Sequence, residues 1–82
     1  MTDQPRLWRE GQRVLLECDG EKWLAEIVMT SKNGASLMIG FKGTIHGHQN
    51  YMPVVYHGKG ICRSIIDGTE VRIKPSPIDK FK

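Results

Sequence analysis

The sequence predicts an all-β fold, a small closed antiparallel barrel of about six strands. Turn-forming residues recur along the chain at intervals of roughly ten residues, which is the spacing of short strands joined by hairpins. No segment carries the apolar repeat of an amphipathic helix. An open sheet of short strands would leave two edges and much of its apolar surface exposed, so closure into a barrel is the favoured arrangement.

Size and composition predict one small domain. The chain has 82 residues, of which 39% are hydrophobic and 26% are charged, and these values are ordinary for a folded protein. We expect residues 1–8 to form a flexible N-terminal arm, residues 9–75 to form the barrel and residues 76–82 to form a C-terminal tail. The net charge of +3 favours anionic partners without requiring them.

The N-terminal residues and the cysteines bear on location. Residues 1–5 lack the pattern of a signal peptide, and no apolar run is long enough to cross a bilayer. Cys18 and Cys62 belong to no Cys-x-x-Cys pair, so neither a zinc ribbon nor a thioredoxin-like centre is indicated. We expect a cytoplasmic protein without membrane insertion, whose two thiols are reduced and buried. The oligomeric state stays open.

The first half of the chain predicts three strands. The first is Arg13–Cys18, and Asp19-Gly20 after it is typical of a two-residue hairpin. The second and third strands cover residues 23–30 and 35–41. Asn33-Gly34 predicts a tight turn between them, because this dipeptide tolerates the positive φ angles that such a turn demands.

The second half is less regular. Glycines interrupt residues 40–50, which we expect to form the longest loop. Residues 51–56 form a further strand, and Pro53 within it predicts an edge or a bulge because proline donates no ladder hydrogen bond. Residues 61–66 and 70–74 form a last hairpin.

Two half-motifs in the first half of the chain resemble the PilZ domain, the bacterial receptor module for cyclic di-GMP. They are Arg9-x-x-x-Arg13 and, after a short hairpin, Ser31-x-x-Gly34-Ala35. The resemblance covers roughly residues 6–41. It implies a small barrel that binds a cyclic dinucleotide and does not catalyse a reaction.

The resemblance also implies a role for each ligand-binding residue. Arg9 and Arg13 would grip phosphates or stack on purine faces, for which the planar guanidinium group is suited. Ser31 would hydrogen-bond the edge of a guanine. Asn33 and Gly34 would shape the complementary loop, with Gly34 allowing the ligand to approach the backbone.

A second resemblance is to SH3-like barrels of the Tudor and chromo-barrel kind. It rests on Gly11-x-x-Val14, Trp23-x-Ala25-x-Ile27 and Phe41-x-Gly43. It implies an alternative function, the binding of nucleic acid or of a peptide partner through an aromatic pocket surrounded by charge. The residues available for such a pocket are Trp23, Phe41, Tyr51 and Tyr56.

Neither catalysis nor a cofactor is predicted. The chain has no Gly-x-Ser-x-Gly motif, no motif of paired carboxylates and no cysteine with a histidine partner marked by spacing. The spacing of His46-Gly-His48 can place two imidazoles on one side of an extended segment, but a zinc site needs a further ligand, such as His57 or Cys62. We interpret the pair as loop histidines and predict no metal site.

Overall fold

The computed structural model describes residues 8–76, which form six β-strands and no helix. The strands are β1 (Arg13–Cys18), β2 (Glu21–Thr30), β3 (Ser36–Ile45), β4 (His48–Gly58), β5 (Ile61–Ser64) and β6 (Glu70–Pro75). Each strand pairs antiparallel with the next along the chain, and β6 pairs with β1, so the sheet closes. The predicted six-stranded barrel is confirmed. The N-terminal arm up to residue 7 and the C-terminal tail from residue 77 lie outside the described residues.

The core fills the barrel with alternate residues of each strand. Val14, Leu16 and Cys18 of β1 face inward, as their spacing predicts. Ile27 of β2 and Ile39 of β3 are completely buried beside them. No helix among the described residues is long and apolar enough to span a membrane.

Three hairpins of the barrel have the same tight turn, and the third of them is at Lys59-Gly60. Asp19 and Gly20 have φ angles of 52° and 82°, and His46 and Gly47 have φ angles of 48° and 82°. Two consecutive positive φ angles are typical of a type I′ turn, whose twist matches that of the flanking strands. The turn at Asp19-Gly20 was predicted, whereas the loop predicted over residues 40–50 is wrong. β3 continues to Ile45, and β4 begins immediately after this turn.

The predicted tight turn at Asn33-Gly34 is also wrong, because the loop is longer. The Ser31 N–H donates to the Ser36 carbonyl at 2.9 Å, so four residues lie between the paired positions. Only Gly34 has a positive φ, of 76°. The Asn33 side-chain oxygen instead accepts hydrogen bonds from the Ser31 hydroxyl and the Ala35 N–H, both at 2.9 Å. This side-chain bonding favours a wider loop over the two-residue turn.

Pro53 predicts a sheet edge or a bulge at its position. It lies instead in the middle of β4, away from both. β4 pairs with β3 and with β5, and the register shifts lie elsewhere in the strand. Because the Tyr56 N–H donates to the Ala35 carbonyl beside β3, alternation turns the Pro53 nitrogen towards β5. The pairing of β4 with β5 ends at Val54 and Ser64. Pro53 therefore lies just beyond the ladder that it would interrupt.

The barrel has two ends, which we call upper and lower. At the upper end lie the loop Ser31–Ser36 and the segment that precedes β1; at the lower end lie the turns Asp19-Gly20 and His46-Gly47. Trp8 packs at the upper end, edge to face on Tyr56, with 5.9 Å between ring centroids. Trp8, the last residue of the predicted N-terminal arm, thus docks on the barrel, as its aromatic side chain allows.

Candidate ligand-binding cleft

A cleft opens where the pairing of β2 with β3 stops. The two strands pair from Thr30 and Leu37 at the upper end to Glu26 and Gly40, and no further. Below this point β2 stays paired with β1 and β3 stays paired with β4, down to their turns. The two hairpins, β1–β2 and β3–β4, therefore separate towards the lower end of the barrel.

The cleft is an open surface groove with a volume of about 1110 Å³. Its walls combine aromatic and aliphatic side chains with basic ones. The lining residues are Arg13, Lys22, Trp23, Leu24, Ala25, Glu26, Val28, Gly40, Phe41, Lys42, Asn50 and Tyr51.

Aromatic rings lie at three depths in the cleft. Phe41 is buried, Trp23 packs partly against the core, and Tyr51 is 56% exposed. Gly40 pairs with Tyr51, and a Cβ at Gly40 would lie 3.6 Å from the Tyr51 Cε1 and 2.8 Å from the Val28 Cγ2. The Tyr51 ring thus lies beside Gly40 and stays accessible, and it is the close approach of Val28 that excludes a side chain at Gly40.

The charges that line the cleft are mostly positive and have no internal partners. Arg13, Lys22 and Lys42 are exposed, and none of them makes an ion pair or a side-chain hydrogen bond within residues 8–76. Glu26, opposite Arg13 in the register, is the acidic residue of the lining. The cleft thus offers apolar rings and an excess of positive charge to a ligand.

The two arginines of the PilZ-like motif differ in position. Arg13 begins β1 and lines the cleft, whereas Arg9 lies in the turn before β1. The Arg9 N–H donates to the Gln12 side-chain oxygen, and the Gln12 N–H donates to the Arg9 carbonyl, both at 3.1 Å. Both arginine side chains are exposed.

The other residues of that motif lie in the loop at the upper end, and their polar groups are partly occupied. The Ser31 hydroxyl donates to the Asn33 side-chain oxygen and accepts the Ser36 N–H at 3.1 Å. Gly34 is buried, and its N–H donates to the Ser31 carbonyl at 3.0 Å. Ala35 of this loop accepts the N–H of Tyr56, the residue on whose ring Trp8 packs.

The two histidines at the lower end, His46 and His48, have different hydrogen-bonding partners. His48 is buried, and its Nδ1 lies 3.1 Å from the carbonyl oxygens of Ile45 and His46, to which a protonated Nδ1 donates. In the neutral ring, Nε2 then accepts a hydrogen bond from the Ser64 hydroxyl, at 2.8 Å. His46 contacts the Asp19 carboxylate. The two imidazoles therefore do not form a shared metal site.

The remaining residues considered for zinc lie apart. His57 is an exposed residue near the upper end of β4, and Cys62 is completely buried in β5. Burial raises the pKa of the Cys62 thiol to about 12, so this group stays protonated.

Sequence reasoning found part of the cleft. Trp23, Phe41 and Tyr51 were named as a possible aromatic pocket and do line it, whereas Tyr56 lies at the upper end. The sequence does not indicate Lys22 and Lys42, because their approach to the aromatic rings depends on where the pairing of β2 with β3 ends. Comparison with known proteins finds no matching protein-family model, and no curated protein or solved structure matches significantly.

Proposed function

We propose that the protein is a non-catalytic binding module and that the cleft between β2 and β3 binds single-stranded nucleic acid. The observation that carries this proposal is that Trp23, Phe41 and Tyr51 converge with three basic side chains that make no ion pair within the described part of the chain. Aromatic rings stack on nucleobases of any sequence, and a basic groove follows the phosphate backbone.

Charge distinguishes this function from recognition of a cationic peptide. An aromatic cage for a methylated lysine depends on cation–π attraction, which added positive charge opposes. Arg13, Lys22 and Lys42 surround the rings, with Glu26 as their acidic neighbour. A polyanion that also carries flat apolar groups fits this combination better, and single-stranded nucleic acid is such a ligand.

The arrangement gives each side chain a separate contribution. Tyr51 is the most exposed of the three rings and is placed to stack on a base. Arg13 and Lys42 come from β1 and β3, so they approach the ligand from both walls of the cleft. Their contacts to phosphate would bind without sequence specificity and would weaken steeply with salt.

Fluorescence anisotropy of labelled single-stranded DNA and RNA tests the proposal. The oligonucleotides would have about ten nucleotides, within the site size of small barrels. Tyr51→Ala should weaken binding by about 1–3 kcal/mol, or about 5- to 150-fold in Kd. Lys42→Ala should reduce the salt slope by about 0.7.

Matched variants outside the cleft serve as controls. Tyr56→Phe alters a tyrosine at the upper end, and Lys74→Ala removes an exposed lysine of β6. Neither should change affinity by more than about twofold, the effect of an ordinary surface substitution. Absence of binding at about 50 mM salt, or equal losses in Tyr51→Ala and Tyr56→Phe, would contradict the proposal.

Binding of cyclic di-GMP is the second candidate, and one observation favours it. Trp8 folds back on Tyr56, so Arg9 begins its turn at the barrel end that carries the loop Ser31–Ser36. Arg9 and Arg13 are both exposed there. A guanine could stack on either guanidinium group, while the other pairs with phosphate.

A backbone chemical-shift titration with cyclic di-GMP separates the two candidates. The PilZ-like site predicts saturable shifts at Arg9, Arg13 and Gly34, which Arg9→Ala should abolish. Shifts confined to Trp23 and Tyr51 would instead place the nucleotide in the cleft. A spectrum that does not change with excess ligand would reject the cyclic dinucleotide.

A further inference from the structure

Three potential metal ligands meet at the lower end of the barrel. The Cys18 Sγ, a carboxylate oxygen of Asp19 and an imidazole nitrogen of His46 all lie within 4.8 Å of one another. Cys18 ends β1, Asp19 begins the first hairpin turn, and His46 begins the turn between β3 and β4. The cluster therefore connects the two hairpins that flank the cleft. We propose that these three residues bind a divalent transition metal ion of the zinc class.

The chemistry of the three ligands indicates the class of metal. Sulfur, imidazole nitrogen and carboxylate oxygen are the ligands of zinc in proteins, and a fourth position is often filled by water. A thiolate ligand selects against magnesium and calcium, which prefer oxygen. Neither the spacing in sequence nor a Cys-x-x-Cys pair marks this set, because the fold alone brings residue 46 to residues 18 and 19.

Binding of one metal ion would require only small movements of the three ligand atoms. Ligand atoms around a tetrahedral zinc ion are about 3.5 Å apart, given metal–ligand distances of about 2.0–2.3 Å. The Asp19 and His46 side chains are 73% and 43% exposed, so both are free to rotate towards a shared ion. Their present contact with each other shows that they approach closely without a metal. An ion would take the position between them and hold both.

Cys18 supplies the most selective ligand and lies just beneath the surface. It lines a surface depression with Asp19 and Glu70, although the residue itself is only 3% exposed. Its thiol has one weak contact, with the Glu70 carbonyl oxygen at 3.9 Å. The carboxylates of Asp19 and Glu21 lie near this thiol. The same negative charges attract a cation, which would bind the thiolate as the proton passes to solvent.

Titration of the full-length protein with Co²⁺ tests the site, because cobalt replaces zinc and reports its ligands by absorption. We expect saturation at one equivalent, with near-ultraviolet thiolate charge-transfer bands and visible bands of a tetrahedral ion. Zn²⁺ should remove these bands by competition. Zn²⁺ should also raise the melting temperature, since a ligand that binds only the folded state stabilises it.

Substitutions assign the ligands. Cys18→Ala should abolish the charge-transfer bands, whereas Cys62→Ala should retain them. Asp19→Asn and His46→Asn keep residues that tolerate the positive φ of these turns. Each should weaken Co²⁺ binding by more than about tenfold, the lower limit for loss of even an outer-shell partner. His57→Asn is the matched control and should bind as the parent protein does.

Three results would overturn the proposal. The first is the absence of saturable Co²⁺ binding to the parent protein. The second is the persistence of the charge-transfer bands in Cys18→Ala, and the third is equal weakening by His46→Asn and His57→Asn. If Cys18→Ala does not fold, the two exposed positions, Asp19 and His46, still decide the outcome. The result does not depend on which ligand occupies the cleft.

Discussion

The β5 side of the barrel differs from the cleft between β2 and β3, which we call the β2–β3 seam. The difference lies in how many of their polar groups have hydrogen-bonding partners. β5 pairs with β4 from Ile61 to Ser64, and the Ser64 hydroxyl bonds to buried His48. At the seam, pairing stops at Glu26 and Gly40, and within residues 8–76 the basic side chains that line the cleft make no ion pair. Folding alone accounts for the polar residues of the β5 side. Folding does not account in the same way for the aromatic and basic residues of the seam, for which we propose a ligand.

On the β5 side, the largest effect on stability is expected from Gly60→Ala. A Cβ at Gly60 would lie 2.7 Å from the Ile73 carbonyl oxygen, and φ at this position is +81°. Strain of about 1–2 kcal/mol from the left-handed backbone and about 1–3 kcal/mol from overpacking should lower the free energy of unfolding by about 3 kcal/mol. Urea denaturation measures this change.

Gly47→Ala is the matched control for this substitution. Gly47 has nearly the same φ, +82°, but a Cβ there would meet nothing within 4 Å. Its cost should be limited to the backbone strain of about 1–2 kcal/mol. Equal losses in the two variants would show that the contact of Gly60 with Ile73 does not constrain the β5–β6 side.

The second-largest effect is expected from Ser64→Ala. The Ser64 hydroxyl accepts the N–H groups of Ile66 and Asp67, at 3.1 and 3.3 Å, and bonds to His48. Its loss leaves buried polar groups unsatisfied, at a cost of about 2 kcal/mol. Ser31→Ala, in the exposed upper loop, should cost about 0.5 kcal/mol, because water replaces the hydroxyl. A smaller loss in Ser64→Ala than in Ser31→Ala would reverse the comparison.

A pH effect is expected from Cys62, which lies on the same side. Its pKa is about 12 in the folded protein, against about 8.5 for an exposed thiol. Below about pH 8.5 both states are protonated and stability is unaffected. Between these values the unfolded thiol ionises and the folded one does not, so stability should fall with rising pH, by up to about 1.4 kcal/mol per unit.

Cys62→Ala isolates this contribution from those of other groups that titrate at high pH. Urea denaturation of both proteins between pH 8 and pH 11 should give a shallower loss of stability in the variant. Parallel curves would mean that the thiol ionises as readily in the folded barrel as in the unfolded chain.

The three hairpin turns show how far local sequence predicts the fold. Asp19-Gly20 forms the expected type I′ turn, with φ angles of 52° and 82°. Asn33-Gly34 carries the same signal, but the Ser31 hydroxyl and a backbone N–H bond to the Asn33 side chain and widen the loop. His46 adopts a positive φ that histidine adopts less readily than glycine. The pairing of β3 with β4 determines this turn, and the propensities of the turn residues do not predict it.

The binding residues show a similar division. Trp23, Phe41 and Tyr51 were predictable as an aromatic group, because their residue types alone suggest a binding surface. Lys22 and Lys42 were not, since their approach depends on where two strands separate. A register shift between Gly40 and Thr44 accompanies that separation. Tertiary packing decides such a shift, and no pattern within either strand marks it.

The smallest stability effect is expected at the seam, from Tyr51→Ala. The ring is 56% exposed and covers Gly40, so its removal should change the free energy of unfolding by about 0.5 kcal/mol or less. Phe41→Ala, which removes a buried ring from the same cleft, should cost about 3–5 kcal/mol. If Tyr51→Ala destabilised the barrel as much as Phe41→Ala, its ring would be part of the core. A small loss of stability would mean that the Tyr51 ring contributes little to folding. The oligonucleotide titration then tests whether the ring binds nucleic acid.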